Sequence, residues 1–146
     1  MITVQNTINA PIDIVWELWT LPEHIKKWNN ASADWHTPYV ENDLKSGSKF
    51  KFTMALKDGS GGFDFEGIYN NIEKFSLIAY TLLDGRKASV SFEKEGNKVN
   101  LTESFEPTAE NSAKMEEQFC TAIVQNFKQY AENFSNKSNF KILKNK

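Results

Sequence analysis

Lys49-Phe-Lys-Phe-Thr-Met-Ala-Leu56, then Asp58-Gly-Ser-Gly-Gly62, then Phe63-Asp-Phe-Glu-Gly-Ile-Tyr69 is the stretch on which the fold turns. In the first run Phe50, Phe52, Met54 and Leu56 alternate with Lys49, Lys51 and Thr53. That period of two puts apolar and polar side chains on opposite faces of a strand. The second run alternates again, and the glycine-rich segment between them suits a tight reversal, so the pair reads as a hairpin. Gly67 inside the second run marks a bend or bulge, because glycine has no side chain to pack.

The pattern continues on both sides. Leu77-Ile-Ala-Tyr-Thr-Leu-Leu83 is a further strand, Asp84-Gly85 a preferred turn dipeptide, and Ala88-Ser-Val-Ser-Phe92 the returning strand. A strict two-residue turn there would place Val90 and Phe92 with Ala79 and Thr81, whereas a bulge would join them to Tyr80, so the register stays open. Glu95-Gly-Asn97 turns the chain into Val99-Asn-Leu-Thr-Glu-Ser-Phe105. After Pro107, Asn111 or Ser112 can cap a long helix in which Met115, Phe119, Ala122, Ile123, Asn126, Phe127, Tyr130 and Phe134 recur at three and four. Before the hairpin, Ile2, Val4 and Ile8 alternate as a first strand that Ala10-Pro11 stops. Ile14, Val15, Leu18 and Trp19 then have helical spacing to about Thr20, and Pro22-Glu23 opens a second short helix with Ile25 and Trp28 on one face. Trp35 to Val40 reads as a strand edged by Pro38.

These elements specify an α+β fold: a curved antiparallel sheet gripping a long C-terminal helix, with two short helices inserted after the first strand. Residues 1–134 read as one domain and residues 135–146 as a polar, frayed tail. With Phe50, Phe52, Met54, Phe63, Phe65, Tyr69 and Phe105 all facing the helix, a flat sheet has too little room, so strong curvature and an enclosed hollow are expected.

Composition narrows the partners. The 146 residues hold 17 Lys+Arg against 19 Asp+Glu, a formal charge of -2, which gives no basic field for nucleic acid or anionic membranes. No apolar run approaches the ~20 residues of a membrane span, so no membrane insertion is expected. The N-terminus lacks the basic region and apolar run of a signal peptide and Cys120 is the one cysteine, which reads as a cytoplasmic protein. No phosphate loop, dinucleotide fingerprint or nucleophile elbow occurs, and His24, His36 and Cys120 stand apart, so neither cofactor nor metal is expected. Cys120, with no basic neighbour in sequence, reads as an inert helix thiol.

Two sets of residues carry polar chemistry. Asp34, His36, Asp43, Asp58, Asp64 and Arg86 could gather acid-base groups at a cavity mouth, although such residues more often cap turns and pair across loops. Glu103 shares a face with Val99, Leu101 and Phe105, so its carboxyl either points into the hollow, to orient a ligand or move a proton, or pairs with a base at the sheet end. Glu66, opposite Phe65, faces solvent.

The element order, with Ala10-Pro-x-x-x-Val-Trp16, Thr20-x-Pro-Glu-His-x-x-x-Trp28, Gly62-Phe-Asp-Phe-x-Gly67-x-Tyr69 and Asp84-Gly-Arg86, resembles the START-like, helix-grip superfamily. The branch is that related to the activator of heat shock protein 90 ATPase, and the likeness spans about residues 2 to 133. It implies a cavity for an apolar or aromatic molecule between sheet and C-terminal helix, with Trp28 and Trp35 near its rim. The chain departs from the branch at Phe119-Cys120, where the helix often carries Gly-Trp. Full-length activators also carry an additional N-terminal domain for which this sequence has no room, which leaves a chaperone partner poorly supported.

The expected ligand-binding set is therefore Trp28, Trp35, His36, Phe52, Met54, Phe65, Tyr69, Tyr80, Glu103, Phe119, Ile123 and Phe127, with no catalytic residue assigned. The leading expectation is a carrier or sensor of a small hydrophobic or aromatic molecule, held by shape and one or two polar anchors. The alternatives are a cyclase- or hydratase-like enzyme, in which a cavity carboxylate with Tyr69 or Tyr80 moves protons on a polyketide-like substrate, and a protein-interaction module.

Overall fold

The alternating runs become strands with the bounds their periodicity sets. In the computed structural model, which describes residues 1–144 and the side chains of residues up to 137, the strands are β1 (Ile2–Ile8), β2 (Trp35–Asn42), β3 (Lys49–Leu56), β4 (Gly62–Glu73), β5 (Leu77–Leu82), β6 (Lys87–Glu95) and β7 (Lys98–Phe105). They form one antiparallel sheet in the order β1-β7-β6-β5-β4-β3-β2, curled into a half-barrel. β2 to β7 are a meander. The one crossing is from β1, which pairs with β7 (Ile2 opposite Phe105, Ile8 opposite Val99), over to β2. Two helices make it, α1 (Ile12–Thr20) and α2 (Pro22–Trp28), and α3 (Ala113–Lys144) follows β7.

The turn at Asp84-Gly85 settles the register that the sequence left open. Thr81 pairs with Lys87, and the Leu82 N–H donates to the Arg86 carbonyl at 2.8 Å, so the loop holds three residues, Leu83-Asp84-Gly85, with Gly85 at φ 90°. An odd loop length shifts the pairing by one relative to the two-residue turn. Ile78, Tyr80 and Leu82 consequently share the buried face with Ala88, Val90 and Phe92.

Gly67 does something other than the expected bulge. The register slip in β4 falls at Asn70, between Tyr69 and Asn71, while Gly67 stays in regular pairing with Leu82 on one side and Phe50 on the other. A Cβ at Gly67 would lie 2.3 Å from the Thr81 carbonyl oxygen and 3.1 Å from Phe50 Cζ. Glycine is present because the backbone of β5 and the ring of Phe50 both need its space.

α3 is longer than its apolar spacing indicated. The segment from Ser135, read from its polarity as a frayed tail, continues the helix to Lys144, and Ser135 itself is buried. It contains neither proline nor glycine, so nothing in it breaks a helix. Residues 145 and 146 lie outside the described residues.

The halves of α3 do different jobs. Val124, Phe127 and Ala131 are fully buried in the core that β1, α1 and α2 complete. Polar contacts fix this half in place: Lys128 Nζ donates to the Thr7 carbonyl at 2.6 Å, Glu132 accepts the Asn9 N–H at 2.9 Å, and Asn126 Nδ2 donates to the Trp28 carbonyl at 2.8 Å. That last bond occupies one of the carbonyls that the end of α2 leaves without an intrahelical partner. The same need is met at the end of α1, where Trp28 Nε1 donates to Leu18 O (2.8 Å), Thr20 Oγ1 to Trp16 O (2.7 Å) and Asn42 Nδ2 to Thr20 O (2.7 Å). The first half of α3, with Phe119, Cys120 and Ile123 only partly buried, spans the concave side of the sheet without filling it.

Candidate functional site

A cavity of about 600 Å³ lies between that first half of α3 and the curled sheet. All seven side chains whose bulk implied a hollow line it: Phe50, Phe52 and Met54 from β3, Phe63, Phe65 and Tyr69 from β4, and Phe105 from β7. Phe50 is the centre of the aromatic wall, its ring 4.8 Å from Tyr69, 5.3 Å from Tyr80, 5.6 Å from Phe52 and 5.7 Å from Phe65. Such tilted and edge-on contacts let rings pack without a face-to-face sandwich.

The inner end is formed by Trp19, Trp28, Thr20 and Asn42. Tyr69 donates its hydroxyl hydrogen to Asn42 Oδ1, and Asn42 donates onward to Thr20 O, so this end is polar but internally satisfied. The mouth is formed by Asp84 and Arg86 beside β6, by Thr108, and by Met115 and Glu116 at the start of α3. There Arg86 is held from three directions: Nε on Asp84 Oδ2 at 2.8 Å, Nη1 on the Glu106 carbonyl at 3.3 Å and on Glu116 Oε1 at 3.6 Å. Glu116 in turn accepts the Thr108 N–H at 3.1 Å, which ties the loop after β7 to α3.

Between these ends, Glu103 projects into the apolar wall. Cys120 Sγ donates to Glu103 Oε2 at 3.1 Å, and Tyr80 lines the same stretch of wall. Burial pushes the Glu103 carboxyl above the usual carboxylate range, with the Cys120 hydrogen bond and the nearby Tyr80 phenol opposing part of the rise. Burial first, then the Glu103 charge, raises the Tyr80 phenol well above its ordinary value, and the same two causes raise the Cys120 thiol. Burial likewise raises Tyr69. Desolvation dominates in each case because a charged form would be stranded among rings.

One chemical consequence is an unreactive thiol, since the thiolate is the nucleophile. At about pH 8 Cys120 should react with Ellman's reagent roughly 100-fold more slowly than free cysteine, and at the ordinary rate in concentrated guanidinium chloride. A fast native-state reaction would show that the Glu103 contact does not hold the proton on sulfur.

Nine of the twelve expected ligand-binding residues line the cavity: Trp28, Phe52, Met54, Phe65, Tyr69, Tyr80, Glu103, Phe119 and Ile123. Trp28 does so from the inner end, stacked at 4.6 Å on Trp19 and only 2% exposed, and not from the rim. The other three lie elsewhere. Trp35 is outside the lining but packs edge-on against two of its members, Phe63 at 5.9 Å and Phe119 at 5.8 Å. His36 pairs opposite Ala55 just before the β2 register shift and is not on the wall. Phe127 is fully buried one turn beyond the hollow, packed between Trp19 and Trp28.

Of the six polar residues that might have gathered at the mouth, only Arg86 is there. Asp58 caps the Ser60 N–H, Asp64 accepts from Thr53 and pairs with Lys51, Asp43 accepts from Ser48, and the Asp34 carbonyl accepts the Lys57 N–H. Sequence reasoning missed Trp19, Asn42 and the place of Cys120. For Cys120 a signal existed, since it stands three and seven residues before Ile123 and Phe127 on the same helical face. Among the described residues no group of three or more His, Cys, Asp or Glu is placed to hold a metal, and no helix is long and apolar enough to cross a membrane.

Comparison with known proteins places the architecture. The family model described as Activator of Hsp90 ATPase homolog 1-like protein matches residues 9–136. Among solved structures, the AHSA1-like protein from Aeromonas hydrophila is 34% identical with a TM-score of 0.82, the alignment covering 90% of this chain and 92% of that one. A protein from Cytophaga hutchinsonii is 45% identical with a TM-score of 0.79, again over 90% of this chain and 92% of that one. Comparison with curated proteins gave no match.

Proposed function

From the premise that this chain belongs to the Activator of Hsp90 ATPase homolog 1-like family, with its START-like helix-grip fold, we propose that it binds a small hydrophobic or aromatic molecule in the cavity beneath α3, as a carrier or sensor. The observation that carries the reading is the void itself: about 600 Å³ inside a wall of seven large apolar side chains and roofed by half a helix. Interiors normally pack to crystal density, so a hollow of this size in the middle of a sheet forgoes a large dispersion gain. Volumes of about 300–1,000 Å³ with apolar walls and few polar groups are the range of small-molecule sites.

An enzyme of the cyclase or hydratase kind is the second reading, and the convergence of Glu103, Tyr80 and Cys120 on one void favours it. Its weakness is chemical. Burial makes each of these groups hold its proton more tightly than usual, and among the described residues no imidazole lines the cavity to act beside them.

Nile red, a neutral apolar dye, tests the binding reading. It should bind with a rise in fluorescence, and Ile123→Trp, which puts an indole into the hollow from the roof, should weaken binding by at least about tenfold while leaving the melting temperature unchanged or raised. Dye binding that ignores the filled cavity would place the site elsewhere. Native mass spectrometry of the purified protein would then identify any molecule carried from the cell.

A further inference from the structure

The wall of the cavity is uneven in charge. Asp84, Glu103, Glu110 and Glu116 line it against Arg86, which is the only basic side chain on the wall among the described residues. Arg86 is already engaged by Asp84, Glu116 and the Glu106 carbonyl, so it is not the counter-ion of Glu103. A carboxylate left among rings without a cation is strongly disfavoured, whereas the neutral acid can stay.

Counting hydrogens in the neutral cluster gives its unfilled capacity. Cys120 spends its S–H on Glu103 Oε2. The Glu103 O–H and the Tyr80 O–H remain on the same wall, and even with these two groups turned toward each other only one of the two hydrogens could be used between them. The other is left without an acceptor in the cluster, on a residue that lines the void. The polar inner end contrasts with this, because Tyr69, Asn42 and the Thr20 carbonyl satisfy one another.

We propose, building on the cavity-binding reading, that the site selects uncharged ring compounds bearing a hydrogen-bond acceptor, such as a ketone or ether oxygen, which receives the free donor of the Glu103, Tyr80 and Cys120 cluster. Anions are refused because Asp84, Glu110 and Glu116 outnumber the one occupied arginine on the wall. A cationic amine would require Glu103 to ionise, and the desolvation of two buried ions roughly cancels their attraction.

Matched naphthalenes test this, with affinity read by calorimetry or by quenching of Trp19 and Trp28: acetylnaphthalene (acceptor), ethylnaphthalene (no acceptor), naphthoate (anion) and aminomethylnaphthalene (cation). Acetylnaphthalene should bind the unmodified protein about tenfold more tightly than ethylnaphthalene, the worth of one buried hydrogen bond. Naphthoate and the amine should bind more weakly than either. Glu103→Leu combined with Tyr80→Phe, which leaves only the weak thiol donor, should erase most of the preference for the ketone while leaving ethylnaphthalene bound, and Glu103→Gln, which keeps an N–H donor, should retain it. Equal binding of ketone and hydrocarbon, or tightest binding of the amine or the acid, overturns the proposal while leaving cavity binding intact. Failure of the whole series to bind overturns both.

Discussion

Replacing Trp28 by alanine lowers the stability of the protein by about 3–5 kcal/mol, the range for removing a large aromatic side chain from a core that cannot collapse around the loss. Trp28 is 2% exposed, stacked on Trp19 at 4.6 Å and edge-on to Phe127 at 4.8 Å, so its removal opens a hole between α1, α2 and α3. It also removes the N–H that satisfies the Leu18 carbonyl at the end of α1. Total stabilities of about 5–15 kcal/mol leave such a variant marginal. Trp28→Phe separates the two contributions: it keeps most of the stacking and loses the hydrogen bond, which by itself is worth about 1 kcal/mol. Urea titration of the three proteins checks the order. If Trp28→Ala unfolds within about 1 kcal/mol of the parent while binding Nile red poorly, Trp28 is a rim residue after all.

That residue shows where the sequence was legible and where it was not. Period-two alternation told which side chains of β3 and β4 share a face, and every one of the seven rings and thioethers expected to face the helix does so. Alternation likewise placed Glu103 on the inner face. Periodicity gives a face, however, and not a depth. Phe119, Ile123 and Phe127 all lie on the inward side of α3, yet the hollow ends before Phe127 because α1 and α2 close the sheet there, a long-range event with no local signature. The same holds for Trp28, which helical spacing joined to Ile25 but could not set against Trp19. Trp35 and His36 were misplaced for a different reason. Trp35 reaches Phe63 and Phe119 without joining the lining itself, and where the strand slips between His36 and Tyr39, around a proline, depends on its partner, β3. At Asp84-Gly85 the dipeptide identified the turn but not its length. Only the pairing of Leu82 with Arg86 shows that Leu83 belongs to the loop, which puts Tyr80 beside Glu103 on the cavity wall.

The second large effect is at Gly67. Gly67→Ala should destabilise the protein by about 2–3 kcal/mol, because an added methyl in a packed site forces backbone or side chains to move. Glycine is a poor strand residue on propensity, so with no neighbours the substitution would be mildly favourable; the sign here is set entirely by what the methyl meets. It meets the backbone of β5, at the Thr81 carbonyl oxygen and at Leu82 Cα, and the ring of Phe50. The Thr81 carbonyl oxygen at 2.3 Å belongs to the backbone of β5 and cannot retreat without breaking the pairing of β4 with β5. Phe50 Cζ at 3.1 Å belongs to a side chain that could tilt, but only by disturbing its contacts with Tyr69 and Tyr80 on the cavity wall. A double-mutant cycle with Phe50→Leu distinguishes them. If the backbone contact dominates, the penalty for Gly67→Ala is nearly the same with phenylalanine or leucine at position 50. If the ring dominates, leucine relieves most of it, and the cavity wall rather than the sheet is what demands glycine. The distances favour the backbone: a 2.3 Å approach to a fixed oxygen lies well inside any contact a real Cβ makes, whereas 3.1 Å to a ring edge yields to a shift of a few tenths of an ångström. Thermal and urea denaturation that leave Gly67→Ala within about 0.5 kcal/mol of the parent would contradict the close approach of β5 itself.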